Sequence, residues 1–462
     1  MKNPYWNRTV IREPKDFFGR KNEIKKIFDA IGTPHPQNIS IIGDEKIGKS
    51  SLLYHVFKLS QKKQELPHPE KYIFIFVVFP EHPNITVDEF FEMLYSELKN
   101  KLPEGIRIEQ VKNYKTFTNM VKTLDDLGYK LILLINEFDK IPKNEDFKVD
   151  FFSYLRAIAN RYDIALIIST QKDLEDLSQP DLLGSPFFNI FTQIRLGLFQ
   201  KEEALNLITG PSTKEGIPFE EDTEFILKNA GLFPFFIQIL CHELFEYKKN
   251  HDRKIGQEGY NQVLEKFWVE ANSYFDHFWK SFSQEEKDVL IEISMGKKVK
   301  KGKKSVIRNL KQKGYITTVN GRNQIFSDTF RQFILDHQGE ISKTKRKSFI
   351  AVLDILLIFI FAFSFFSIIS YFFKPNTKII ILGLIVLIVA FVIRMSLFFF
   401  RKRRKKEKGS KNSNTVNFLV SFLASYIAAI LTLTHWGMAP EVIIGVLIFV
   451  CFTLIYFFLL RK

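Results

Sequence analysis

At 462 residues the chain exceeds one ordinary domain and fits two or three. Its net charge of +15 would point to nucleic acid if it were evenly spread. Residues 341–462 hold 17 Lys/Arg against three acids, however, and residues 1–340 hold 49 against 48, so charge says little about DNA for the body of the chain.

Only two cysteines occur, Cys241 and Cys451, which excludes a disulfide framework and a cysteine metal site and fits a reducing compartment. The first 16 residues, in MKNPYWNRTVIREPKDFF, lack a continuous apolar core and read as an N-terminal extension, not a signal peptide. NISII, ending at Ile42, then reads as a short buried strand, and SLLYHVFKLS after Ser50 as a helix. Between them Gly43-Asp44-Glu45-Lys46-Ile47-Gly48-Lys49-Ser50 matches the phosphate-loop pattern in full, with Ser51 following. In that pattern the glycines let backbone N–H groups face phosphate, Lys49 reaches the β/γ oxygens and Ser50 ligates Mg²⁺. The positive end of the following helix adds to the same attraction.

Residues 72–79 (YIFIFVVF) predict a second strand. LGYKLILLINEFDKI then predicts a strand buried on both faces, Leu131 to Ile135, with Asn136-Glu137-Phe138-Asp139 at its carboxyl end. Glu137 is the residue expected to orient an attacking water. Asn136 stands where an acid usually serves the metal; it can hold Mg²⁺ only through water, which predicts slow turnover. A strand followed by a polar turn with no catalytic part is the alternative. A further strand at 163–169 ends in Ser169-Thr170-Gln171, where Thr170 either senses the γ-phosphate or caps the next turn. Strands separated by helix-length segments predict an α/β P-loop NTPase fold, a parallel sheet with helices on both faces, over residues 17–200. A helical lid is expected over 201–280.

Ser283-Gln284-Glu285-Glu286 is a capping box opening an amphipathic helix, and SVIRNLKQKG predicts a basic one. Asn320-Gly321 between Tyr315–Val319 and Asn323–Phe326 predicts a hairpin. Helices followed by a two-stranded wing read as a winged-helix domain over 281–340. A basic juxtamembrane linker follows at 341–348.

Four apolar runs at 349–373, 379–400, 416–435 and 442–460 are each near or above the ~18–20 residues a spanning helix needs. They predict an all-α transmembrane domain over 349–462, with Asp354 and Arg394 paired inside it or, as the alternative, Arg394 reaching to the headgroups. KTKRK and RKRRKKEKGSK flank the runs, so the positive-inside rule places both termini and the ATPase domain in the cytoplasm. The expected location is a multi-pass inner or plasma membrane protein, with the lipid bilayer as a partner.

Several stretches resemble ATPases of the AAA-like, archaeal-ATPase and STAND type (signal-transduction ATPases with numerous domains). Phe17-Phe18-Gly19-Arg20-Lys21-Asn22-Glu23 looks like their aromatic–Gly–Arg–x–x–Glu entry. Ser185-Pro186-Phe187-Phe188-Asn189-Ile190-Phe191 and Arg195-Leu196-Gly197 look like the stretch after their sensor strand. Ala230-Gly231-Leu232-Phe233-Pro234 resembles the Gly-x-Pro region of the lid, with one extra residue. The resemblance spans about residues 17–336. It implies that Phe18, Gly19 and Arg20 lie near adenine and that Pro234 faces the nucleotide from the lid. Two departures bear on turnover: Asn136, and the lack of a recognisable arginine finger.

The expectation is a membrane-anchored, ATP- and Mg²⁺-binding signalling ATPase of low turnover, with catalytic residues Glu137 and Lys49. Its nucleotide state would switch a four-helix membrane effector, acting as a homo-oligomer under an unknown cytoplasmic trigger or protein partner, with bacterial defence as one context. The alternative is a membrane-tethered ATP-dependent DNA- or protein-binding module with an inert anchor; nucleic acid is the disfavoured partner.

Overall fold

The computed structural model describes residues 1–61, 66–79, 84–177, 186–251, 253–297, 299 and 302–338. All of them belong to the unit Met1–Glu340. Strands β1 (Asn38–Ile42), β2 (Tyr72–Val78), β3 (Lys130–Asn136), β4 (Ile164–Thr170) and β5 (Phe191–Arg195) form one parallel sheet in the order β2-β3-β4-β1-β5. Helices α1 (Lys21–Ile31), α2 (Lys49–Gln61), α3 (Val87–Lys99), α4 (Tyr114–Asp126) and α5 (Val149–Arg161) accompany it.

The two-residue period of the strands explains why the sheet is covered twice. Ile73, Ile75 and Val77 of β2, with Leu131, Leu133 and Ile135 of β3, join one cluster with Phe90 and Phe91 of α3, Phe117 of α4 and Phe151 of α5. The alternate residue Phe76 turns the other way and meets Tyr54 and Phe57 of α2. A run such as LILLI, apolar at every position, is therefore the mark of a strand with protein on both sides. Strand β5 is different. Its FTQIR buries only Ile194 deeply, as an edge strand does, and carries no alternation from which it could be predicted.

After the sheet come α6 (Lys201–Lys214), α7 (Thr223–Ala230), α8 (Pro234–Asn250) and α9 (Gln257–Ser281). Then follow α10 (Gln284–Ser294), α11 (Lys304–Gln312), the antiparallel hairpin β6 (Ile316–Val319) and β7 (Arg322–Ile325), and a helix α12 over 328–338. The expected capping box opens α10: the Ser283 hydroxyl accepts from Glu286 N–H and the Glu286 carboxylate accepts from Ser283 N–H. Asn320, at φ 50°, and Gly321, at φ 74°, make the tight turn between β6 and β7. Aromatic rings bind this last part to α8 and α9. Phe326 lies against Phe233 and Phe236, and Tyr315 against Phe278 and Phe282. Such pairs add about 0.5–1.5 kcal/mol each beyond their buried area.

One part of the expected fold class is corrected. Among the described residues no helix is long and apolar enough to cross a membrane. The longest, α9, has 25 residues but carries Glu258, Glu265, Lys266, Glu270, Asp276 and Lys280, and charges at a bilayer centre cost about 2.5–3.5 kcal/mol each. The transmembrane domain, and the multi-pass membrane location drawn from it, are therefore withdrawn. The four apolar runs at 349–373, 379–400, 416–435 and 442–460, with Asp354 and Arg394, lie outside the described residues.

Candidate functional site: a phosphate-loop cleft

The loop after β1 is shaped by its glycines. Gly43 N–H donates to the Thr170 carbonyl (3.2 Å), tying the loop to the end of β4. A Cβ on Gly43 would come within 2.8 Å of Ile47 Cγ2 and 3.0 Å of the Leu196 carbonyl oxygen, so no larger residue fits. Gly48 is at φ +104°, and a Cβ there would meet nothing within 4 Å. The space above Gly48 is the cleft itself, a cradle open to a ligand.

Lys49 begins α2 and is only 8% exposed. Its Nζ donates to the Asp44 carbonyl (2.9 Å), folding the side chain back along the loop. Burial pushes the ammonium's pKa down, while Asp44, Asp139, Glu137 and Glu45 oppose this by favouring the charged form. Asp44 shows the converse. Burial raises its pKa, against the Tyr315 hydroxyl hydrogen bond and the charges of Lys313 and Lys49.

Strand order sets the distance to the second half of the site. β3 and β1 are separated by β4, so their carboxyl ends lie about 10 Å apart at ~4.8 Å per strand, a span suited to a polyphosphate. Glu137 follows β3 at φ 55°, a left-handed conformation that costs a non-glycine residue of order 1–3 kcal/mol. Its N–H donates to Ser169 Oγ (2.9 Å), and that hydroxyl donates to Asn136 Oδ1 (2.8 Å). Asn136 is 4% exposed and its oxygen is already engaged, so its first role here is to brace Ser169 and, through it, the turn that aims Glu137.

A cleft of about 360 Å³ gathers these groups. Of the expected residues, Glu45, Lys46, Ile47, Gly48, Lys49, Ser50, Ser51, Glu137, Phe18, Arg20 and Pro234 line it. Gly43, Asp44, Gly19, Asn136 and Thr170 do not. Arg20 is a strut as well as a wall. Its guanidinium donates to the carbonyls of Gly197 (2.7 Å) and Ile47 (3.2 Å), pairs with Glu23 and lies 4.8 Å from the centre of the Phe199 ring. Gly19, at φ +71°, packs against the Glu203 carboxylate, which accepts from Arg20 N–H. Thr170 Oγ1 is buried and finds no hydrogen-bond partner among the described residues.

Sequence reasoning missed three contributors. Asp139, also 4% exposed, brings a second carboxylate into the cleft; it stood in the Asn-Glu-Phe-Asp string and could have been chosen. Gln171, next to Thr170, lines the cleft in its place. The third has no local signal. Asn7, Arg8, Thr9, Val10 and Ile11 form one wall, so the N-terminal extension is part of the site. Ile11 N–H donates to Ser51 Oγ (3.1 Å), Arg8 Nη2 to Glu270 of α9 (3.2 Å), and Asn3 Nδ2 to Glu246 of α8 (2.8 Å). Tyr5 is 1% exposed, and its hydroxyl donates to the Ile208 carbonyl.

No curated protein matches the chain. Residues 33–299, more than half of its length, match the family described as Novel STAND NTPase 2, nSTAND2. The chain belongs to that family. Among solved structures this STAND NTPase is similar to a Walker-type ATPase of Pyrococcus abyssi, at 14% identity and TM-score 0.49 over 71% of this chain and 99% of that one. It is similar to the ORC2 protein of Aeropyrum pernix, solved as ADPNP-ADP complexes, at 10% identity and TM-score 0.47 over 74% and 98%. Domain III of the replication initiation protein DnaA of Thermotoga maritima follows at 15% identity and TM-score 0.37, over 55% and 96%. Membership of that family makes the chain a P-loop NTPase, which implies nucleotide binding.

Proposed function

We propose that the chain is an ATP-dependent signalling switch that hydrolyses its nucleotide slowly. The observation that supports this best is the single cleft in which phosphate-loop, water-orienting and lid residues meet: Lys49 and Ser50, Glu137 and Asp139, and Pro234. Lys49, whose downward shift by burial is opposed by four carboxylates, faces the β/γ-phosphate oxygens, and the N–H groups at the start of α2 bind the rest of the chain of charge. Glu137, fixed by its N–H to Ser169, orients the attacking water. The Ser50 hydroxyl and the Asp139 carboxylate suit Mg²⁺, which when bound offsets charge developing on the phosphates. Asn136 gives no negative charge to that set, the reason for expecting turnover well below the 1–100 s⁻¹ usual for kinases.

The signalling part of the reading rests on who touches the nucleotide walls. α8 of the lid lines the cleft, and Tyr315, at the entrance to the β6–β7 hairpin, hydrogen-bonds Asp44 of the phosphate loop. A change at the phosphates is therefore felt by both, and the equilibrium between closed and open lid follows the bound nucleotide.

The test is ATP binding and phosphate release by the full chain beside Lys49→Ala and Glu137→Gln. Tight binding by the wild type, at least tenfold weaker binding by Lys49→Ala, and retained binding with at least 10²-fold slower release by Glu137→Gln are expected. Equal binding by the wild type and Lys49→Ala sinks the reading.

A further inference from the structure

Gln238 stands one turn beyond Pro234 on the same face of α8, since residues four apart lie one above the other. It is 7% exposed, and its Oε1 is fully buried with no hydrogen-bond partner among the described residues. An unpaired buried acceptor is destabilising, so the wild-type helix keeps this amide at a stability loss that a leucine would avoid. Gln238 also lines the nucleotide cleft. A stability loss facing a ligand site calls for a ligand.

The position within the cleft identifies which part of the ligand. A smaller cavity of about 190 Å³ adjoins the first, and five residues line both: Asn7, Asp16, Phe18, Leu207 and Gln238. No phosphate-loop residue borders the smaller cavity. These five therefore mark the end of the cleft away from Lys49. With phosphates on the loop, the ribose and base extend toward that end. The Phe18 ring, Leu207 and Pro234 offer apolar surface to a flat heterocycle there, and Gln238 is the buried neutral amide among them.

We infer that the Gln238 carboxamide reads the base, turning about its last bond on binding so that Oε1 leaves its buried, unpaired position and accepts a hydrogen bond from the 6-amino group of adenine. The inference rests on the nucleotide-cleft reading above. Adenine pairs a donor at N6 with an acceptor at N7, and a carboxamide meets both together. Guanine presents an acceptor, O6, where Oε1 needs a donor. Purine riboside triphosphate lacks the amino group and leaves Oε1 as unsatisfied as in the free protein. A site built on such a bond rejects an analogue without it more strongly than an apolar slot rejects a change of shape.

The experiment compares binding of ATP, purine riboside triphosphate and inorganic tripolyphosphate by the full chain and by Gln238→Leu. The wild type is expected to prefer ATP to the analogue by about tenfold, and Gln238→Leu to bind the two alike. Tripolyphosphate, which has no base, should bind both proteins equally, showing that the variant keeps its phosphate loop. The ligand-free variant should melt no lower than the wild type, because the orphaned acceptor is gone. Equal wild-type affinity for ATP and the analogue, or an undiminished preference in Gln238→Leu, overturns the inference while leaving the cleft reading intact. Failure of the wild type to bind even tripolyphosphate overturns both.

Discussion

Ser169 is the residue through which β3 and β4 speak to each other at the site. Its hydroxyl accepts from Glu137 N–H and donates to Asn136 Oδ1. Ser169→Ala removes both bonds at once and leaves a buried amide oxygen unsatisfied, which should cost about 1–3 kcal/mol of stability. Because Glu137 loses its brace but Lys49 does not, nucleotide affinity should stay near wild type while hydrolysis slows about tenfold. A parallel fall in affinity would show that the serine shapes the loop and not the turn. Chemistry at this scale was half legible. The glycine and lysine spacing located the phosphate loop because backbone geometry permits few substitutes at Gly43 and Gly48. Asn136, one position before Glu137, looked like a metal residue in the sequence. Only the fold shows its oxygen turned to Ser169, since strand pairing between residues 33 apart has no local trace.

Elements divide in the same way. Strands with a continuous apolar run, and the helix opened by Ser283 and Glu286, were readable because their signals are local periodicity and a four-residue cap. Strand β5 and the N-terminal segment were not, because both take their conformation from what they touch. Tyr5 buries its ring between Phe219 and Phe245, at centroid distances of 5.8 and 6.4 Å. Tyr5→Ala should destabilise by about 3–5 kcal/mol, as large aromatic truncations do. It should also weaken nucleotide binding, because Asn7–Ile11 wall the cleft; urea unfolding and a nucleotide titration measure the two separately. The capping box carries a pH signature. Burial would raise the Glu286 pKa, but Lys313 and the Ser283 N–H outweigh it and hold the carboxyl below its ordinary range. The folded value lies below the unfolded one, so this stabilisation is present above the normal glutamate range. It is lost as pH falls through the folded value. Glu286→Gln should therefore cost most stability near neutral pH and least in acid, flattening the acid side of the profile, read from melting temperatures across pH.

For the molecule as a whole, Gly231 is the tightest joint between lid and hairpin. It ends α7 at φ 66°, ψ −153°, a region essentially restricted to glycine, and a Cβ would lie 2.2 Å from the Phe326 carbonyl oxygen. Gly231→Ala must push the hairpin away from α8 or strain the turn, and a loss of about 2–4 kcal/mol is expected from the two effects. Denaturant unfolding checks the size, and a loss under 0.5 kcal/mol would mean that the joint yields freely. The N-terminal segment has a further consequence, in time and not in space. Asn3, Tyr5 and Arg8 leave the ribosome well before their partners His242, Ile208 and Glu270, which lie 239, 203 and 262 residues downstream. At about 5–20 residues per second, Arg8 waits roughly 13–50 s for Glu270 to be synthesised. For most of that interval the growing chain already contains a phosphate loop but cannot complete the wall that Asn7–Ile11 give its cleft, so the nucleotide site is whole only after α9 has been made.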